Sequence, residues 1–369
     1  MSTITPIVMP KWGLEMREGT VTAWLVDEGA EIAVGTPILD VETDKISNAV
    51  EAPDPGRLRR KVAREGETLP VKALLGVLAE ASVSDADIDA YIAGYVVPAA
   101  GGGGDDEASA YEFAEVDGLK VRYARRGAGE GTPVLFIHGF GGDLDNWLFN
   151  LDVVAEVAPV VALDLPGHGE STPRLPGTSL AELAGFVASF LDAIGVPRAH
   201  VVGHSMGGAV ASRLALDQPR RVASLALINS AGLGREISAE YIDGFVGAQS
   251  RRELKPVVER LFANPELVTR KLLDDLLKYK RIDGVEPLLR QLAAAQFAGG
   301  RQAEQPGLEL EGKGIPVLVV CGRDDRVVPA SHAAHAPAGA RVEVLDGGHM
   351  VMMEKASDVN ALIRSHVAP

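Results

Sequence analysis

Five residues near the middle of the chain, Gly203-His204-Ser205-Met206-Gly207, constrain its fold more than any other stretch. An apolar run at 200–202 precedes them, and a helix-forming run at 208–216 follows. Glycines flanking a serine let the backbone turn sharply from strand to helix, where larger side chains would clash. The turn lifts the hydroxyl above a sheet edge, and the helix N-terminus beneath it favours negative charge developing nearby. Such a unit needs neighbouring strands. Continuous apolar runs at 134–138, 160–163, 225–228 and 317–320 suit strands buried on both faces of a parallel sheet. Helical periodicity at 180–194 lies between two of them, so residues 111–369 read as an α/β domain with a mainly parallel sheet. The stretch 233–305 is charged and helical with no strand candidate, and it reads as a helical cap inserted late in the alternation, where it would lie over the site.

A serine nucleophile needs a base, and the base needs an orienting carboxylate. Two later segments can supply them. Gly322-Arg323-Asp324-Asp325-Arg326-Val327-Val328-Pro329 follows one apolar run, and Gly347-Gly348-His349 follows another strand candidate, 340–346. The spacing from Gly322 to Pro329 singles out Asp325, with Asp324 as the fallback, and His349 is the expected base. His138-Gly139-Phe140-Gly141-Gly142 is a glycine-rich turn directly after a strand, of the type that presents a backbone N–H. The amides of Phe140 and Met206 are therefore expected to hold an oxyanion, with His138 buttressing the loop. Asp164-Leu165-Pro166-Gly167-His168-Gly169-Glu170-Ser171 reads as structural. His204, His332 and His335 give only a weak metal signal, an H-x-x-H without a third ligand, and Cys321 reads as a small buried hydrophobe.

The first 80 residues repeat themselves. At an offset of 37, Gly19 falls on Gly56, Val21 on Leu58, Glu28-Gly29 on Glu65-Gly66 and Val41 on Leu78. Short alternating runs broken by Gly and Pro read as strands, so two similar halves imply a small all-β sandwich with internal pseudo-symmetry. Between the halves stands Glu42-Thr43-Asp44-Lys45-Ile46, a polar turn that would display its lysine. Residues 81–110 read as one short helix at 85–95, N-capped by Ser84, followed by a tether with four consecutive glycines that cannot pack a core.

Composition excludes more than it assigns. With 36 basic and 51 acidic residues the net charge is −15, which speaks against nucleic acid or an anionic membrane surface as partner. The single cysteine rules out an intramolecular disulfide and any multi-cysteine metal site. No basic leader precedes an apolar run, and no stretch reaches the roughly 18 apolar residues of a membrane helix, so the expected location is cytoplasmic.

Residues 111–369 resemble the α/β-hydrolase superfamily through HGFGG, DLPGHGES, GHSMGG, GRDDRVVP and GGHM in that order. Residues 1–80 resemble the biotinyl/lipoyl attachment domain, with ETDK carrying the modified lysine; the methionines that flank a biotinyl lysine are absent. The pairing is similar to the dihydrolipoamide acetyltransferase components of acetoin dehydrogenase complexes. That resemblance implies covalent lipoate on Lys45 and coenzyme A as co-substrate. It also implies a thiamine-diphosphate-dependent acetoin-cleaving enzyme and a dihydrolipoamide dehydrogenase as partners, and a homo-oligomer. The H-x-x-x-D-G signature of the usual 2-oxoacid dehydrogenase acyltransferases is missing, and no domain for docking partner subunits is recognisable. From the residues alone the acyl acceptor stays open. Water and coenzyme A meet the same acyl-enzyme, so a serine esterase or carbon–carbon bond hydrolase with a lipoyl domain attached is the rival reading, and a catalytically idle assembly protein is a second.

Overall fold

The computed structural model describes residues 4–12, 16–43, 47–98, 111–127, 129 and 131–368. Lys45 and the glycine tether lie outside the described residues. The chain divides into two compact units, Met1–Ala108 and Ser109–Pro369.

In the first unit the repeat becomes two four-stranded sheets. Strands β1 (Ile4–Val8), β2 (Glu18–Trp24), β3 (Glu31–Ile32) and β4 (Pro37–Glu42) are followed by β5 (Ser47–Glu51), β6 (Gly56–Lys61), β7 (Thr68–Pro70) and β8 (Leu74–Ala79). One sheet has the order β1-β8-β6-β3 and the other β5-β4-β2-β7. The 37-residue offset carries β2 onto β6, β3 onto β7 and β4 onto β8, so one sheet is the pseudo-symmetric copy of the other. Inward-facing Ile7, Val21, Ile38, Leu39, Leu58 and Leu75 close the core between them. Helix α1 (Asp85–Gly94) starts where the Ser84 hydroxyl accepts the Asp87 N–H, the capping expected from the sequence. It packs onto the first unit through Ile88, which is buried against Leu74, Val77, Ala79 and Val83. Arg59 fixes its entry by donating to the Glu80 and Val83 carbonyls and to the Asp85 carboxylate.

The second unit is built on an eight-stranded sheet. Its strands are β9 (Glu112–Val116), β10 (Leu119–Arg126), β11 (Val134–Ile137), β12 (Val160–Leu163), β13 (Ala199–His204), β14 (Val222–Ile228), β15 (Val317–Gly322) and β16 (Arg341–Leu345). The order is β16-β15-β14-β13-β11-β12-β10-β9, with β11 to β16 mutually parallel and the β9–β10 hairpin antiparallel at one edge. The apolar runs that mark β11 and β12 are buried along their whole length, as a sheet covered on both faces requires. Edge strand β16 differs, with Val342 and Val344 exposed. Helices α2 (Leu151–Val154), α3 (Leu180–Ala193) and α4 (Met206–Asp217) accompany the sheet before the insert. Helix α3 opens with a complete capping box between Ser179 and Glu182.

Between β14 and β15 the chain leaves the sheet to form a helical cap of α5 (Ala239–Gly247), α6 (Arg251–Val258), α7 (Arg270–Lys280) and α8 (Val285–Gln296). The buried Lys280 ammonium donates to the carbonyls of Phe245 and Ala248, satisfying groups that the end of α5 leaves open. After β16 come α9 (Val351–Glu354) and α10 (Ala356–Val367). Among the described residues no helix is long and apolar enough to cross a membrane.

Candidate active site

The site is assembled at the carboxyl ends of the parallel strands. Ser205 follows β13 with φ 51° and ψ −121°, a conformation that a non-glycine residue holds only when its surroundings enforce it. Two glycines make the enforcement sterically feasible. A Cβ on Gly203 would stand 2.5 Å from the Gly207 carbonyl oxygen, and one on Gly207 would stand 2.3 Å from the Ile137 oxygen. The start of α4 therefore lies directly on the end of β11, which brings the 138–142 turn beside the serine. Met206 is the first residue of α4, so its N–H has no partner within the helix. Neither that amide nor the Phe140 amide donates to a carbonyl among the described residues. His138 is fully engaged, its Nδ1 donating to the Gly139 carbonyl and its Nε2 accepting the Leu165 N–H at 2.9 Å. It holds the turn against the Asp164 loop. Asp164 in turn accepts from Arg122 and from the Leu144 and Glu170 amides.

His349 and Asp325 come together from the turns after β16 and β15. The His349 Nδ1–H donates to Asp325 Oδ2 at 2.8 Å, and both side chains are almost wholly buried. Asp324, the fallback, is exposed. Asp325 Oδ1 accepts the Val327 and Val328 amides at 2.7 and 2.9 Å. Burial pushes the Asp325 carboxyl up, but the adjacent His349 and these hydrogen bonds outweigh it and hold the group below the ordinary carboxylate value. The carboxylate is thus fixed as an anion aimed at one ring nitrogen, which leaves the other nitrogen of His349 available. His204, next to Ser205 in the chain, links the Ser205 elbow to the His349 turn. Its Nε2–H donates to the His349 carbonyl at 2.9 Å and the two rings lie 4.7 Å apart. Burial, reinforced by His349, pushes the His204 imidazole down to about 3, so it stays neutral.

Five contributors went unread in the sequence. Asn229, at the end of β14, donates from Nδ2 to Asp325 Oδ2 at 2.5 Å and to the Gly348 carbonyl at 3.1 Å, while its Oδ1 accepts the Gly322 N–H. It adopts φ 42°, a region that Asn tolerates better than most residues. Glu354 accepts the Gly348 N–H at 2.6 Å together with the Ala263 and Asn264 amides of the cap, joining the cap to the His349 turn. From α5, Phe245 packs edge-on against Phe140 at 6.0 Å, and the Tyr241 ring lies 6.5 Å from His349. Phe297 adds a second edge-on contact to Phe140. The remaining candidates take structural positions. His332 pairs with Glu236 and His335 donates to the Leu233 carbonyl. No group of three metal-ligating side chains occurs among the described residues. Burial pushes the Cys321 thiol up to about 12, which leaves it unreactive.

Comparison with known proteins identifies the family. Residues 132–356 match the alpha/beta hydrolase fold family, and residues 5–78 match the biotin-requiring enzyme family of attachment domains. The dihydrolipoyllysine-residue acetyltransferase component of the acetoin cleaving system of Cupriavidus necator is 65% identical over 366 residues, covering 99% of this chain and 98% of that protein. Its Pseudomonas putida counterpart is 49% identical over 372 residues, covering 99% of this chain and all of that protein. The chain belongs to this acetyltransferase family. It is therefore an acyltransferase built on an α/β-hydrolase framework. Solved structures show the same framework: a meta-cleavage product hydrolase from Pseudomonas fluorescens IP01 superposes with a TM-score of 0.62 at 22% identity, over 69% of this chain and 96% of that one. An N-acyl homoserine lactone degrading enzyme, 30% identical, superposes with a TM-score of 0.58 over 69% of this chain and all of that one.

Proposed function

We propose that this chain carries lipoate on Lys45 and moves an acetyl group from that arm to coenzyme A through Ser205, His349 and Asp325. The pairing of a buried His349–Asp325 couple with a strained Ser205 elbow is the observation that carries the reading, and membership of the acetyltransferase family supports the acceptor. The attachment domain has the form the modification calls for. Strands β4 and β5 stay paired up to Glu42 opposite Ser47, and in sequence Lys45 lies between them. Lipoate bound there supplies the thiol that presents the acetyl group.

His349 takes the Ser205 proton as the hydroxyl oxygen attacks the thioester carbonyl, and the Phe140 and Met206 amides receive the developing oxyanion. His349 then passes its proton to the departing sulfur, leaving acetyl-Ser205. In the second half the coenzyme A thiol gives its proton to His349 and attacks the ester, and the proton returns to Ser205. Asp325 keeps the imidazole in the required tautomer throughout and is not itself protonated. A thiamine-diphosphate-dependent enzyme that cleaves acetoin would load the arm, and a dihydrolipoamide dehydrogenase would reoxidise it.

The test uses the full-length lipoylated chain, reduced and acetylated on its arm, mixed with coenzyme A. Acetyl-coenzyme A forming in an amount equal to the loaded arm is the expected result. Free acetate in its place would make the protein a hydrolase.

A further inference from the structure

Helix α5 is the part of the cap that faces the catalytic groups, and its residues divide the work by helical spacing. Tyr241 and Phe245 are four apart and so share one face. Phe245 lies over the oxyanion turn through Phe140, and Tyr241 lies beside His349. Phe297 extends the same roof over Phe140. The roof is aromatic and apolar at these positions except for the Tyr241 hydroxyl. Tyr241 is only 5% exposed, yet its hydroxyl makes no hydrogen bond with any described residue. Among the described residues, fully enclosed polar side-chain atoms without partners occur on Arg57, Trp147, Asn150, His168, His204, Arg221, His332 and His366; the Tyr241 oxygen is not among them, so it keeps some access to solvent. Buried tyrosine hydroxyls usually find a partner. One that has none, beside a catalytic base, is left for something that arrives.

The polar groups of the second half-reaction, in which an acceptor thiol attacks the acetyl ester, can be assigned one by one, accepting the chemistry proposed above. The carbonyl oxygen belongs to the Phe140 and Met206 amides. The sulfur exchanges its proton with His349. What remains on a pantetheine arm is the amide a short distance beyond the sulfur. We propose that the Tyr241 hydroxyl hydrogen-bonds this amide, and so makes the cap selective for amide-bearing thiols over plain ones. Burial keeps the phenol above its ordinary value, so it stays a neutral O–H able to donate to an amide carbonyl. Tyr241 is a binding contact in this role and moves no proton.

The experiment crosses the protein group with the substrate group. Acetyl transfer from acetyl-dihydrolipoamide is measured to N-acetylcysteamine, which carries the amide, and to ethanethiol, which does not, in the wild-type full chain and in Tyr241→Phe. The expected result is a wild-type preference for N-acetylcysteamine in kcat/KM that Tyr241→Phe reduces by about tenfold, the scale of one hydrogen bond. General damage to the site would slow both acceptors equally, so an unchanged preference in the variant overturns the proposal even if both rates fall. A wild-type chain that releases acetate and acetylates neither thiol overturns the acyltransferase reading itself, a distinct outcome.

Discussion

The two units reach function by opposite routes. In the first, a repeated β half-motif builds a symmetric platform, and the proposed chemistry rests on one residue, Lys45. In the second, nothing chemical is local. Ser205, the Phe140 turn, Asn229, Asp325 and His349 come from the ends of five strands and meet only because a parallel sheet delivers its carboxyl ends to one edge. A carrier can therefore lose function through one position, whereas the catalytic unit is vulnerable at residues that belong to no motif.

Lys45→Arg gives the largest effect. Arginine keeps the charge but cannot form the lipoyl amide. Transfer from the protein's own arm should disappear, while transfer from free acetyl-dihydrolipoamide continues. Parallel loss of both, measured as acetyl-coenzyme A formation, would mean that the two units are not independent.

Asn229→Ala comes next, because it removes a donor from the buried Asp325 carboxylate. A hydrogen bond to a charged group supports a loss of about tenfold to a hundredfold in kcat/KM with either donor. A loss confined to the protein-bound arm would contradict its placement.

Glu354→Gln should cost less. The side chain keeps its shape but loses the charge that three backbone amides share. A fall in kcat of roughly threefold to tenfold is expected, together with faster proteolysis of the cap loop at 262–264.

The smallest effect lies outside the chemistry. Burial, then the neighbouring Asp145 and Asp164, push the Asp143 carboxyl up to about 7. Between its ordinary value and that point the folded chain binds a proton that the unfolded chain has lost, so stability falls as pH rises through this window. Asp143→Asn retains the side-chain oxygen that accepts the Asp145 N–H. It should raise the melting temperature by a few degrees, roughly, at pH 8 and by less at pH 5, with turnover unchanged.

The same contrast governs what could be read before the structure. Gly203 to Gly207 was legible because a strand, a turn and a helix are adjacent in the chain, and the two β half-motifs because they recur at a fixed offset. Asn229 was not, since its partner Asp325 lies 96 residues away. The cap amide that Glu354 holds at Ala263 lies 91 residues from it. An asparagine closing an apolar strand and a glutamate five residues after the histidine carry no local signal. The β9–β10 hairpin is a different omission: Asp117 and Gly118, both at positive φ, are a two-residue hairpin signal that the sequence did contain. Tyr241 sits between these cases. Its spacing from Phe245 marks a shared helix face, but only the fold shows that the face meets His349.

The central claim is that the acetyl group rests on Ser205 between donor and acceptor. Mixing the enzyme with labelled acetyl-dihydrolipoamide in the absence of coenzyme A tests it most directly. The account predicts a burst of dihydrolipoamide equal to the enzyme present, with the label recovered on the peptide containing Ser205. Continuous release of labelled acetate without a burst, or a Ser205→Ala variant that still transfers acetyl to coenzyme A within about a thousandfold of wild type, would contradict it.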